Sequence, residues 1–147
     1  MELPVVNHPD YVAKINENSV FPIKKFSSLA NYLLKEKVVK NFYTPKECSV
    51  ETLSKSHSME YIKHIKNKTL DKNSETRIGF PINDSVVKRS FLATGGTVLA
   101  SKLALEYKLA CNTLMCVTPQ NMIIEPAPCR RAGGNVYDSS KKGASPG

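Results

Sequence analysis

A stretch from Val86 to Tyr107 constrains this chain more than any other feature, because it suits a long helix yet is apolar on more than one face. Val86, Phe91, Leu92, Leu99, Leu103 and Ala104 do not fit a single stripe, so the helix must be covered on several sides. Asp84 or Ser85 stands where an N-cap is needed. Gly95-Gly96 falls in the middle, where each glycine weakens an isolated helix by roughly 1 kcal/mol relative to alanine. Such a pair makes sense where another backbone packs closely. Directly afterwards, Leu109-Ala110-Cys111-Asn112 reads as a short buried strand.

The preceding residues supply smaller elements. Leu3 to Val6 is a strand that stops at the turn cluster Asn7-His8-Pro9-Asp10. Ile23, Phe26, Leu29, Ala30, Leu33 and Leu34 recur at three- and four-residue steps, which predicts one face of a helix; Pro45 bars helix beyond Thr44. Ser49 and Ser58 are N-caps for two short helices. Residues 67–77 are polar and without period, predicting an exposed loop, and Ile78-Gly79-Phe80-Pro81-Ile82 comes next as an apolar irregular segment. Strand, helices, buried helix, strand is the beginning of an α/β layered domain with a parallel sheet.

A single domain is expected from 147 residues, and 41% hydrophobic against 23% charged residues is ordinary globular usage. The texture breaks after Thr113. The last 34 residues hold four of the nine prolines and four of the seven glycines, so 1–113 reads as the folded part and 114–147 as an irregular, disordered tail.

The start of the chain lacks the charged opening and long apolar core of a signal peptide, and no run approaches the ~20 apolar residues of a membrane span. The expectation is a cytoplasmic protein with reduced thiols and no membrane partner. The net charge of +8 divides as 17 − 11 = +6 over residues 1–113 and 4 − 2 = +2 over the rest. Its lysines are scattered among acids, as in Lys35-Glu36-Lys37, which favours a solvated surface over a nucleic-acid footprint. A basic nucleic-acid-binding module is the alternative, and steep salt dependence would mark it.

Motifs for chemistry are sparse. His57 and His64 lie seven residues apart, but separate caps at Ser49 and Ser58 argue against one continuous helix, and His8 is remote in sequence. Cys111, Cys116 and Cys129 have no downstream histidine to complete a four-ligand zinc site. No P-loop, G-x-S-x-G elbow or dinucleotide glycine fingerprint is present.

Taken together, several segments resemble a known family. Leu3-Pro4-Val5-Val6-Asn7-His8-Pro9-Asp10-Tyr11, then Phe21-Pro22-Ile23-Lys24-Lys25-Phe26, is similar to the opening of the histone deacetylase and acetoin-utilisation deacetylase superfamily, in its bacterial, class-IV-like branch. Cys48 to Leu53, with Ser56-His57-Ser58-Met59-Glu60-Tyr61 after it, resembles its helix pair. Arg77-Ile78-Gly79-Phe80-Pro81, Val87-Lys88-Arg89-Ser90 and Thr94-Gly95-Gly96-Thr97 resemble its next loop and buried helix. The likeness covers about residues 3–113.

This resemblance implies the N-terminal part of an arginase/deacetylase-like three-layer fold with a parallel sheet, incomplete, with the irregular tail after it. It also implies zinc-dependent hydrolysis of an acetylated or acylated lysine. In the family two aspartates and a histidine hold the zinc, a His-His pair supplies base and acid, and a further donor, often tyrosine, stabilises the oxyanion. Gly79, Phe80 and Pro81 would lie near the mouth of the acyl-lysine channel; simple packing of that loop on the core is the alternative.

The sequence then departs from the family. Where a glycine pair and the His-His pair should come after Asn112-Thr113, the chain reads Leu114-Met115-Cys116-Val117-Thr118-Pro119. No histidine occurs beyond His64, and Asp138 is the only aspartate after Asp84. Hence no catalytic residue, metal ligand or cofactor is expected of this chain. It reads as a truncated member, inactive alone, prone to self-association or completed by another chain as one half of a split deacetylase. A shifted reading frame from Leu114 is one explanation of the break: Gln120 to Ile124, read from each codon's third base, permits Lys-Tyr-Asp-Tyr, similar to the residues after the His-His pair in bacterial relatives. The nucleotide sequence beyond the Thr113 codon decides that.

Overall fold

In a computed structural model, residues 3–19 and 21–117 are described. The chain opens with β1 (Val5–Val6) and a 3-10 turn at Pro9–Tyr11. Four helices come next: α1 (Lys25–Lys35), α2 (Val50–Ser54), α3 (Met59–Asn67) and α4 (Lys72–Ile78). The long α5 (Asp84–Tyr107) then leads into β2 (Ala110–Asn112) and β3 (Met115–Val117).

Local chemistry sets most boundaries. Ser49 and Ser58 cap α2 and α3 as the sequence predicts, their hydroxyls accepting from the N–H groups of Thr52 and Tyr61, each at 3.2 Å. α5 begins slightly earlier than expected, because the cap is Asn83, whose Oδ1 accepts from Val86 N–H at 2.9 Å. The exposed loop expected over 67–77 is in part helix. Asp71 caps α4 by accepting from Ser74 N–H at 2.9 Å, and Gly79 ends it with a left-handed φ of 79°. Apolar periodicity could not reveal α4, since its caps specify it and it buries none of its residues.

The sheet has the order β1-β2-β3. β1 and β2 are parallel, with Val5 opposite Cys111 and Val6 opposite Asn112, as the βα…αβ order requires. Tyr43 bridges the outer edge of β1, its N–H donating to the Val5 carbonyl at 2.9 Å. β3 returns antiparallel to β2 after Thr113-Leu114. The expectation of irregular chain from residue 114 is therefore corrected at Met115–Val117, which the β2 ladder holds extended; the rest of the expected tail, 118–147, lies outside the described residues.

α5 is the spine. One end of its buried face meets the sheet through Val6, Ala100, Leu103, Ala104 and Ala110, and the other packs Leu92 with Tyr11, Ile23 and Phe26. Gly95 lets the Lys46–Cys48 segment cross the helix: a Cβ there would overlap the Lys46 carbonyl oxygen and lie 3.1 Å from Cys48 N. The close backbone approach expected from Gly95-Gly96 is thus met at Gly95, whereas at Gly96 the neighbours are the side chains of Tyr11 and Asn112. On α1 only Phe26 and Ala30 of the predicted stripe are buried, while Leu29 and Leu34 remain 42% and 44% exposed. The result is a mixed, helix-rich α/β arrangement around a small sheet with one parallel pair. Among the described residues no helix is long and apolar enough to cross a membrane.

Candidate functional site

In open α/β sheets, ligand-binding chemistry gathers beyond the carboxyl ends of parallel strands. Here those ends are Val6 and Asn112, which deliver Asn7-His8-Pro9-Asp10-Tyr11 and Thr113-Leu114 to the same edge. The two exits are tied together. Thr113 N–H donates to the Val6 carbonyl at 2.9 Å, and its hydroxyl donates to Asn7 Oδ1 at 2.9 Å. Asn7, His8 and Pro9 face Ser27 and Asn31 of α1 across a cleft of about 170 Å³.

His8 is held by its own turn. Its Nδ1 accepts from Asp10 N–H at 3.0 Å, which leaves the proton of the neutral ring on Nε2. Asp10 in turn pairs with Lys88 of α5 at 2.6 Å. The hydrogen bond from Lys88 is the main reason the Asp10 carboxyl is held below its ordinary pKa, and the reciprocal bond raises that of Lys88.

Below this exposed layer the turn is anchored in the core. Arg89 is buried, donates from Nε to the Tyr11 carbonyl at 2.8 Å and lies over the Phe26 ring at 5.2 Å. The Tyr11 side chain is fully buried, and burial pushes its hydroxyl pKa up to about 12. Asn112 faces that hydroxyl closely enough to oppose part of the rise. Yet among the described residues neither Tyr11 Oη nor Asn112 Nδ2 completes a hydrogen bond of ordinary geometry, and both press on Gly96, where a Cβ would overlap the hydroxyl and sit 2.9 Å from Nδ2. Asn112 Oδ1 accepts from Leu114 N–H at 3.3 Å, so the same side chain shapes the turn leaving β2.

The residues singled out from sequence fall elsewhere. Gly79 serves as the cap of α4, and Phe80 packs edge-on against Phe21 with ring centroids 5.2 Å apart. Phe21 belongs to the fringe of the Tyr11 cluster, so the half-buried Phe80 is linked to the core through it, while Gly79 and Pro81 are exposed. His57 lies between α2 and α3 beside the Tyr61 ring, and His64 bonds Thr69 at 2.8 Å; neither joins His8. Among the described residues, no three His, Cys, Asp or Glu side chains gather as a metal site.

Sequence reasoning missed Tyr11, Arg89 and Asn112 as an ensemble. Arg89 carried a readable signal, since it is three residues beyond Val86 and three before Leu92, on the buried stripe of α5. The Tyr11–Asn112 meeting had none, because it joins residues at opposite ends of the described chain.

No family model matches the chain. It is similar to an uncharacterized protein of Picosynechococcus sp., 41% identical over 115 residues, covering 77% of this chain and 38% of that protein. The chain thus spans well under half the length of that relative.

Proposed function

We propose that this chain is the N-terminal part of a zinc-dependent, deacetylase-like hydrolase domain of arginase/deacetylase architecture, and that it supplies the positioning frame while lacking the hydrolytic centre. The observation that carries this reading is the joining of the two parallel-strand exits, Asn7 and Thr113, over the buried Tyr11–Gly96–Asn112 contact. That is where an α/β hydrolase presents its reacting groups. The order of the segments resembling the family supports it too, as does the relative, which is long enough to contain a complete domain.

Zinc does not fit the residues at hand. A catalytic site needs three protein ligands, and among the described residues no three His, Cys, Asp or Glu side chains gather; His8 has Asp10 close by, with its Nδ1 already accepting from backbone. Nothing in the hydrolytic step is therefore ascribed to this chain's side chains. In this reading an acylated lysine is the substrate of the completed domain, and Gly79-Phe80-Pro81, packed through Phe21, borders its approach.

Mixing tests the proposal. The purified chain should not hydrolyse an acetyl-lysine peptide with or without added Zn²⁺. Added to the part of the Picosynechococcus protein that it does not match, it should restore Zn²⁺-dependent hydrolysis. Turnover by the chain alone, or none from the full-length relative, would overturn the reading.

A further inference from the structure

α5 covers one face of the sheet, and the opposite face is only half closed. Val6 packs on α5, so its neighbour Val5 points to the other side. There Leu3 and Val5 meet Leu29 and Leu33, one turn apart on α1, and Val38 just past the end of that helix. With Leu114 these residues line an apolar groove of about 320 Å³. Around it Tyr32 and Val38 are 59% and 53% exposed, and Leu29 and Leu34 are exposed as well. Single exposed apolar residues are ordinary, but four within ten positions beside a groove mark an interaction surface.

The charges at the ends of this surface are nearly all of one sign. Residues 21–43 carry five lysines and one acid, Glu36, so 5 − 1 = +4 of the net +8 sits on this segment. Lys24 and Lys25 stand at the start of α1, and Lys35, Lys37 and Lys40 at its end and just beyond, all exposed. Lys25 hangs over the Phe21 and Phe26 rings, at 4.8 and 5.2 Å. Among the described residues none of the five makes an ion pair, whereas Lys68 and Lys88 do. The eleven residues of α1 hold the two lysine groups about 16 Å apart. An apolar centre between charged ends has the anatomy of a protein interface. A second copy would set lysine against lysine, which like-charge repulsion opposes. A flat lipid surface would leave the concavity unfilled. We infer that the groove docks an amphipathic helix of another polypeptide. Its apolar stripe fills the space between α1 and the sheet, and acidic residues about three turns apart meet the lysines at both ends. Such docking holds whether or not the completed domain is a hydrolase.

The test titrates the full chain into fluorescein-labelled synthetic helices and reads anisotropy. One peptide carries leucines at i, i+3, i+4 and i+7 on an alanine background, with a glutamate pair at each end; its counterpart has lysines in place of the glutamates. The glutamate peptide should bind at least about tenfold more tightly than the lysine peptide, and should weaken several-fold as salt rises from about 0.05 to about 0.5 M. Leu29→Glu should weaken it about tenfold or more, because it places a charge in the apolar groove. Met59→Glu, at an exposed position of α3, should leave it unchanged. Lys24→Glu combined with Lys40→Glu should turn the preference toward the lysine peptide, a gain that a misfolded variant would not show. No binding, equal affinity for the two peptides, or affinity unmoved by Leu29→Glu would overturn the inference. So would a dimer in sedimentation that Leu29→Glu dissociates, or binding to phosphatidylserine vesicles in preference to the glutamate peptide.

Discussion

The Tyr11 hydroxyl rests against the α-carbon of Gly96, so the first turn of the chain and the middle of α5 meet with no room for a side chain between them. Gly96→Ala should therefore destabilise the fold by about 1–3 kcal/mol, the usual cost of forcing extra volume into a packed interior. Removing the opposing hydroxyl should relieve part of this. A double-mutant cycle of Gly96→Ala with Tyr11→Phe, read by urea denaturation, should show coupling above about 0.5 kcal/mol. Additive effects would mean the two residues are not in contact.

Tyr11 also sets a pH response. Its pKa is about 12 in the folded chain, against an ordinary value of 10.0. Below the unfolded value both states hold the proton and the full stability is present. Between about pH 10 and 12 the unfolded chain loses it first, so stability falls as pH rises, by on the order of 1–2 kcal/mol. Tyr11→Phe should flatten that alkaline decline and cost little at neutral pH, since the hydroxyl it removes completes no hydrogen bond among the described residues. Unfolding free energies measured across this range check both statements.

Arg89 holds the 3-10 turn to α5 through the Tyr11 carbonyl while stacking on Phe26. Arg89→Ala should cost about 2–4 kcal/mol, because it strands a buried carbonyl and empties a packed volume. Arg89→Lys should recover little of this, as an ammonium cannot donate from the Nε position and stack at once. A lower urea midpoint at unchanged slope is the expected signature.

Much of this scaffold was legible along the chain. Caps at Ser49 and Ser58 are local hydrogen-bond chemistry, and Gly95-Gly96 signals a close approach without specifying its partners, Lys46 and Tyr11. α4 was not legible, because a short helix capped by Asp71 and Gly79 that buries none of its residues leaves no apolar period. The loop at Phe80 stood out as apolar residues that must pack against or line something, but its ring partner Phe21 is distant in sequence. The site itself was least visible. Tyr11 and Asn112 come together only because β1 and β2 pair in parallel around α5, a long-range relation that neither spacing nor composition encodes.

The direct test of a positioning frame without a hydrolytic centre is acetyl-lysine hydrolysis by a chimera. In it, residues 3–113 of this chain replace the matching segment of the Picosynechococcus protein. The account predicts Zn²⁺-dependent turnover comparable to that relative's own, from a chimera whose donated portion is inert alone. A chimera that folds yet does not hydrolyse, beside an active parent, would contradict it.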